Sequence, residues 1–157
     1  MANYDHPSKY PLTVSPVIQD KRVKRVLIDG GSSLNVLFPK TLLRLGIPLS
    51  SLQKTDTPFF GIMPGTGANP LGHISLPVTF GTEENFRTEW ISYEVPDFDY
   101  SYNTIIGWPG LVKFMAIPHY TYLAMKMPGE KGVISVQGDF KTMAECDREA
   151  LQAALTD

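Results

Sequence analysis

Apolar and polar residues alternate most cleanly at Ile74, Leu76, Val78 and Phe80, with Ser75, Pro77 and Thr79 between them. A period of two places one set of side chains on one face, which predicts a half-buried strand. Pro77 cannot donate to a ladder, so this strand should lie at an edge or carry a bulge. The run 86–95, with Trp90, Ile91 and Tyr93, predicts its neighbour, and residues 81–85 the turn between them. Leu12 and Val14 alternate with polar neighbours in the same way. A turn at Gln19, Asp20 and Lys21 then leads into a return strand over 23–28. Further short strands are predicted over 34–38 and 103–106. Two longer ones, 120–127 and 132–137, flank Pro128-Gly129-Glu130-Lys131, a hairpin signal. Helical segments are few. Pro39 suits a first helical turn; Leu42, Leu43 and Leu45 supply an apolar side, and Gly46 a stop. Pro109 opens a second helix running to about Met115. Residues 142–155 predict a third, with a weak apolar side at Met143, Cys146, Ala150, Leu151 and Ala154. Residues 1–10 read as a loose arm. The pattern as a whole is all-β, with short helices between strands.

One strand does not alternate. Val26, Leu27 and Ile28 run together into Asp29, followed by Gly30, Gly31, Ser32 and Ser33 before the apolar run resumes at Leu34. An unbroken apolar triplet predicts a strand buried on both faces. A carboxylate at its end sits at the rim of the core, where its charge is poorly solvated. Gly30 and Gly31 permit a sharp turn and the close approach of another backbone. Ser32 and Ser33 offer hydroxyls able to hold the carboxylate. Two readings remain open from these residues: a tight turn in which Asp29 accepts turn hydrogen bonds, and a chemically active acid.

Residues 57–72 form the other unusual stretch. Gly and Pro dominate its middle, while Phe59, Phe60, Ile62 and Met63 supply apolar surface that a plain linker does not need. This composition predicts a mobile loop or hairpin with sticky walls.

Composition changes the picture little. The 157 residues are sufficient for one domain with a real core, and 13 Gly with 13 Pro favour many turns and short strands. A formal net charge of −2 does not recommend nucleic acid or an anionic membrane as partner. The one basic cluster, Lys21-Arg22 with Lys24-Arg25, reads as the solvated end of a hairpin. A lone Cys146 allows no internal disulfide, which suits a reducing, intracellular compartment. No apolar run reaches membrane-spanning length, and no secretory leader is expected. His6, His73 and His119 are scattered, and Asp97 with Asp99 match no metal-ligand spacing, so neither metal nor cofactor is expected.

The Asp29 loop resembles the catalytic loop of retropepsin-like aspartic proteases, where apolar residues precede Asp-Thr/Ser-Gly-Ala/Ser. A second segment, Ile105-Ile106-Gly107 followed by Trp108-Pro109-Gly110-Leu111, is similar to the Ile-Ile/Leu-Gly run before the short helix of retroviral and retrotransposon proteases. More narrowly, the chain resembles plant Ty3/gypsy-type retrotransposon proteases. That likeness rests on Asp29-Gly30-Gly31-Ser32-Ser33, on the run 76–82, on Lys126-Met127-Pro128, and on Gly132-Val133 and Gly138-Asp139. It covers roughly residues 12–140.

The resemblance implies a retropepsin-like barrel over 12–140 with two short helices, an arm over 1–11 and a helical extension over 141–157. It implies an aspartic endopeptidase in which Asp29 is the catalytic acid and base. Gly30, Gly31, Ser32 and Ser33 would form its loop, and Ile105, Ile106 and Gly107 would support it. Phe60, Gly61, Ile62, Met63, Gly65, Thr66 and Gly67 occupy the position of the flap that closes over substrate. One such acid per chain implies a homodimer, because the chemistry needs two facing carboxylates. The implied substrate is a polypeptide, its own polyprotein in a retroelement particle in the cytoplasm. Gly30 departs from the family, which has a hydroxyl residue there that bonds across the dimer. That departure favours the alternative of a non-catalytic relative serving dimerisation or peptide binding. An unrelated β-barrel is the further alternative.

Overall fold

The structure, a computed structural model, describes residues 11–54 and 70–145. The expected arm, the flap residues 60–67 and the third helix beyond residue 145 lie outside the described residues.

Eleven strands are described, in two sheets. The first eight in chain order are β1 (Thr13–Val14), β2 (Val17–Ile18), β3 (Lys21–Arg22), β4 (Val26–Ile28), β5 (Val36–Leu37), β6 (Gly72–Gly81), β7 (Phe86–Val95) and β8 (Thr104–Ile106). They form one sheet in the order β1-β4-β8-β5-β7-β6-β2-β3. The remaining three, β9 (Ile117–His119), β10 (Ala124–Gly129) and β11 (Gly132–Gln137), form a second sheet in the order β11-β10-β9. Helix α1 (Pro39–Arg44) follows β5, α2 (Trp108–Phe114) follows β8, and α3 spans 140–145.

The alternating strand behaves as its pattern dictates. Leu76, Val78 and Phe80 of β6 are buried in the main core together with Ile91, Tyr93 and Val95 of β7, and Leu76 lies directly opposite Ile91. Pro77 is not at the edge of the sheet, because β6 lies between β7 and β2. Its carbonyl accepts from the Gln19 amide at 2.9 Å. A residue's nitrogen and carbonyl face the same side of a strand, so the missing N–H falls at the end of β2, where the pair keeps only the bond from Gln19. The non-alternating strand is also explained. Val26, Ile28, Leu37 and Ile106 enter the main core, while Leu27, Ile105, Val36 and Phe38 close a second, smaller cluster on the other face.

Three expected elements differ. The return strand over 23–28 is split: β3 pairs with β2, and Arg25, at φ +56°, breaks the chain before β4 pairs with β1. The strand expected over 120–127 begins only at Ala124. Residues 117–119 form β9, and the chain turns back through Leu123 at φ +52°. The hairpin itself is as expected, with Glu130-Lys131 joining β10 to β11. Helix α3 starts at residue 140, because Asp139 caps it. Its carboxylate accepts from the Thr142 amide at 3.2 Å and the Thr142 hydroxyl at 2.8 Å. Met143 is fully buried in the main core, so the start of this helix is built into the barrel.

Candidate active site

The site is made by a crossing of the chain over the end of one strand. Strands β4 and β8 run parallel, with Ile28 opposite Ile106, so Asp29 and Gly107 leave the sheet side by side. Strand β5 lies on the other side of β8 and runs antiparallel to it. Residues 29–35 must therefore pass over the end of β8. They pass so closely that a Cβ on Gly107 would sit 2.3 Å from the Leu34 carbonyl oxygen and 2.7 Å from that of Ser32. Only glycine fits this crossing. The Trp108 amide donates to the Ser32 carbonyl at 2.9 Å and fixes the loop to the start of α2.

Asp29 is anchored by its backbone, its amide donating to the Ile106 carbonyl at 2.9 Å. Its carboxylate is partly exposed, and Oδ1 accepts from the Gly31 amide at 3.0 Å. Neither serine holds the carboxylate, contrary to the expectation from sequence. The Ser32 hydroxyl donates to the Leu34 carbonyl at 2.8 Å and accepts from the Leu34 amide at 3.3 Å. That local ring closes the turn and takes the hydroxyl out of reach of the acid. Ser33 is exposed. The loop thus presents one acid at the rim of the core, positioned by amides.

Gly30 is held from a distance. Its amide donates to the Tyr120 hydroxyl at 3.1 Å, and that hydroxyl reaches the Ile28 carbonyl at 3.5 Å. A Cβ on Gly30 would meet the Tyr120 oxygen at 3.4 Å and Leu111 Cδ1 at 3.7 Å, ordinary contacts. Tyr120 comes from the turn after β9, far away in sequence, and no local signal marks it.

Asn35 is the second residue that sequence reasoning missed. It is only 5% exposed. Its Oδ1 accepts from the Gly107 amide at 2.9 Å and the Gly110 amide at 3.1 Å, and its Nδ2 donates to the Ser92 carbonyl at 3.1 Å. One side chain therefore ties the loop, the end of β8 and β7 together, and satisfies a first-turn amide of α2. A polar residue between Leu34 and Val36, inside an otherwise buried run, is the signal that could have identified it. Ile105 and Ile106 are buried at the end of β8. Asp99 is occupied structurally, accepting from the Lys40 amide in the first turn of α1 at 2.9 Å. Among the described residues no three His, Cys, Asp or Glu side chains gather as a metal site.

No family model and no curated protein matches this chain. Solved structures do. The retroviral protease-like domain of Ddi1 from Leishmania major superposes with a TM-score of 0.62 at 18% identity, covering 83% of this chain and 94% of that one. A retropepsin-like aspartic protease from Rickettsia conorii gives 0.53 at 19% identity, covering 79% and 80%. The EIAV protease in complex with the inhibitor HBY-793 gives 0.41 at 26% identity, covering 66% and 88%. The parallel pair β4–β8, crossed at Gly107 by the loop that carries Asp29, belongs to a chain that folds as a retropepsin-like protease domain.

Proposed function

We propose that this chain is an aspartic endopeptidase that acts as a homodimer. The observation that carries the reading is the placement of Asp29: a partly exposed acid at the end of a buried parallel strand, held by the Gly31 amide. One carboxylate does not suffice. Peptide hydrolysis needs an ionised acid to take a proton from water and a protonated one to polarise the carbonyl. Two acids in contact share one proton, because both cannot ionise at that distance. A two-fold axis beside the loop supplies the second Asp29 with no further residue. The substrate is an extended polypeptide bound by strand addition. Its source is the polyprotein of a plant Ty3/gypsy-type retrotransposon, processed in the cytoplasmic particle. The hairpin β10–β11 adds to the dimer sheet.

The test is Asp29→Asn in a fusion precursor. Cleavage ceases and the fold persists; undiminished processing by that variant rules the assignment out. The non-catalytic reading is favoured by Gly30, whose amide is satisfied within its own chain by Tyr120. It predicts peptide binding without cleavage at mildly acid pH.

A further inference from the structure

The end of the barrel opposite Asp29 adds cations from distant parts of the chain to the basic cluster over 21–25. Lys24 and Arg25 precede β4, whereas Asp29 follows it. Around them lie two open clefts of about 410 Å³ and 370 Å³. The first draws Lys40 and Arg44 from α1 and Lys141 from α3. The second adds Lys21 and Arg22 from the edge strand β3. Lys24, Arg44 and Asn103 line both, so the two clefts form one track. Seven of the chain's 14 Lys and Arg residues thus line these clefts, on a molecule of formal net charge −2. Among the described residues two acids line the clefts: Glu145, which pairs with Arg25 at 3.4 Å and offsets its charge, and Asp139, which caps α3; Asp99 lies beside them on the Lys40 amide.

The track has a fixed floor. Asn103 is 5% exposed and organises the cations around it. Its Oδ1 accepts from the Arg44 guanidinium at 3.0 Å and the Thr41 hydroxyl at 2.9 Å, and its Nδ2 donates to the Lys24 carbonyl at 2.6 Å. Lys40 and Arg25 are braced on the carbonyls of Tyr100 and Ser101, at 2.7 and 3.2 Å. Held so, these side chains lose less freedom on binding an anion than solvated ones do.

We propose that this track binds the sugar-phosphate backbone of a single-stranded nucleic acid, independently of whether Asp29 is catalytic. The cations are spread over two adjoining clefts, which fits repeated charges better than one anion. The surface is concave, whereas a duplex is read by elements that protrude into its grooves. Two partly exposed aromatic rings neighbour cleft residues in sequence: Tyr100 beside Ser101, 43% exposed and packed on Phe38 and Tyr102, and Phe140 beside Lys141, 50% exposed. Bases stack on such rings, and a carboxylate-rich peptide gains nothing comparable from them.

The test is fluorescence anisotropy of a labelled oligo-uridylate of about 15 nucleotides with the full chain. Affinity falls with salt at a log–log slope of about −3, corresponding to about four neutralised phosphates on a single strand. Lys24→Gln with Lys141→Gln, both exposed, weakens binding about tenfold and brings the slope to about −1.5. Lys113→Gln with Lys126→Gln, outside the track, changes neither, and thermal melts confirm that both double variants fold. Three results overturn the proposal: no binding at low salt, binding undiminished in the first double variant, or equal binding of a poly-glutamate of matched charge, which assigns the track to acidic peptides.

Discussion

Asn35→Ala is the most informative single change in the loop. The substitution removes an acceptor shared by the buried amides of Gly107 and Gly110, and a donor to the Ser92 carbonyl. Ser92 is exposed, so water can replace the donor there. The two amides lie beneath the crossing and lose their partner outright. A buried amide left unpaired costs about 1–3 kcal/mol, so the expected loss is roughly 3–4 kcal/mol. Against an ordinary domain stability of about 5–15 kcal/mol, that is a large fraction. Urea denaturation reads it as a fall in midpoint with the slope unchanged. Ser33→Ala, an exposed neighbour in the same loop, is the control and should stay within about 0.5 kcal/mol. A loss below about 1 kcal/mol for Asn35→Ala would refute the reasoning, because it would mean that water reaches both amides.

Other changes separate the roles around the loop. Tyr120→Phe removes the acceptor of the Gly30 amide and should cost about 0.5–1.5 kcal/mol, with faster hydrogen exchange at Gly30. Gly107→Ala should abolish folding or cost more than about 3 kcal/mol, because its Cβ meets backbone oxygens that cannot move aside. Gly30→Ala, where the contacts are ordinary, should change stability by less than about 1 kcal/mol in the same melts. Asp139→Ala should lose about 1 kcal/mol of capping. Burial raises the Asp139 carboxyl, but the Thr142 hydroxyl and amide, Lys24 and the Lys141 amide outweigh it and hold the acid below the ordinary range. A depressed acid stabilises fully above its unfolded value, near about pH 4, and loses that contribution as pH falls further. The difference between wild type and Asp139→Ala should therefore be constant at neutral pH and shrink below about pH 4.

Where local chemistry decides, the residues were legible in the sequence. The period of two at Leu76, Val78 and Phe80 required a one-sided strand, and the unbroken Val26-Leu27-Ile28 required burial on both faces. Pro39 and Pro109 set the starts of α1 and α2, and Gly46, at φ +78°, follows the end of the first. These are consequences of side-chain spacing and backbone freedom, which neighbours in sequence carry between them. Three features were not legible. Tyr120 reaches Gly30 across the fold, Asn35 gathers amides from α2 and the end of β8, and seven cations from three parts of the chain meet at one end of the barrel. The Lys21-Arg22 pair does end a hairpin, but its proximity to Lys40, Arg44 and Lys141 depends on how α1 and α3 pack. The residue pattern determined β4, β6 and β7 and put the acid at the end of β4; tertiary packing alone chose what surrounds it, because hydrogen bonds and charge fields depend on distance in space and not on separation along the chain.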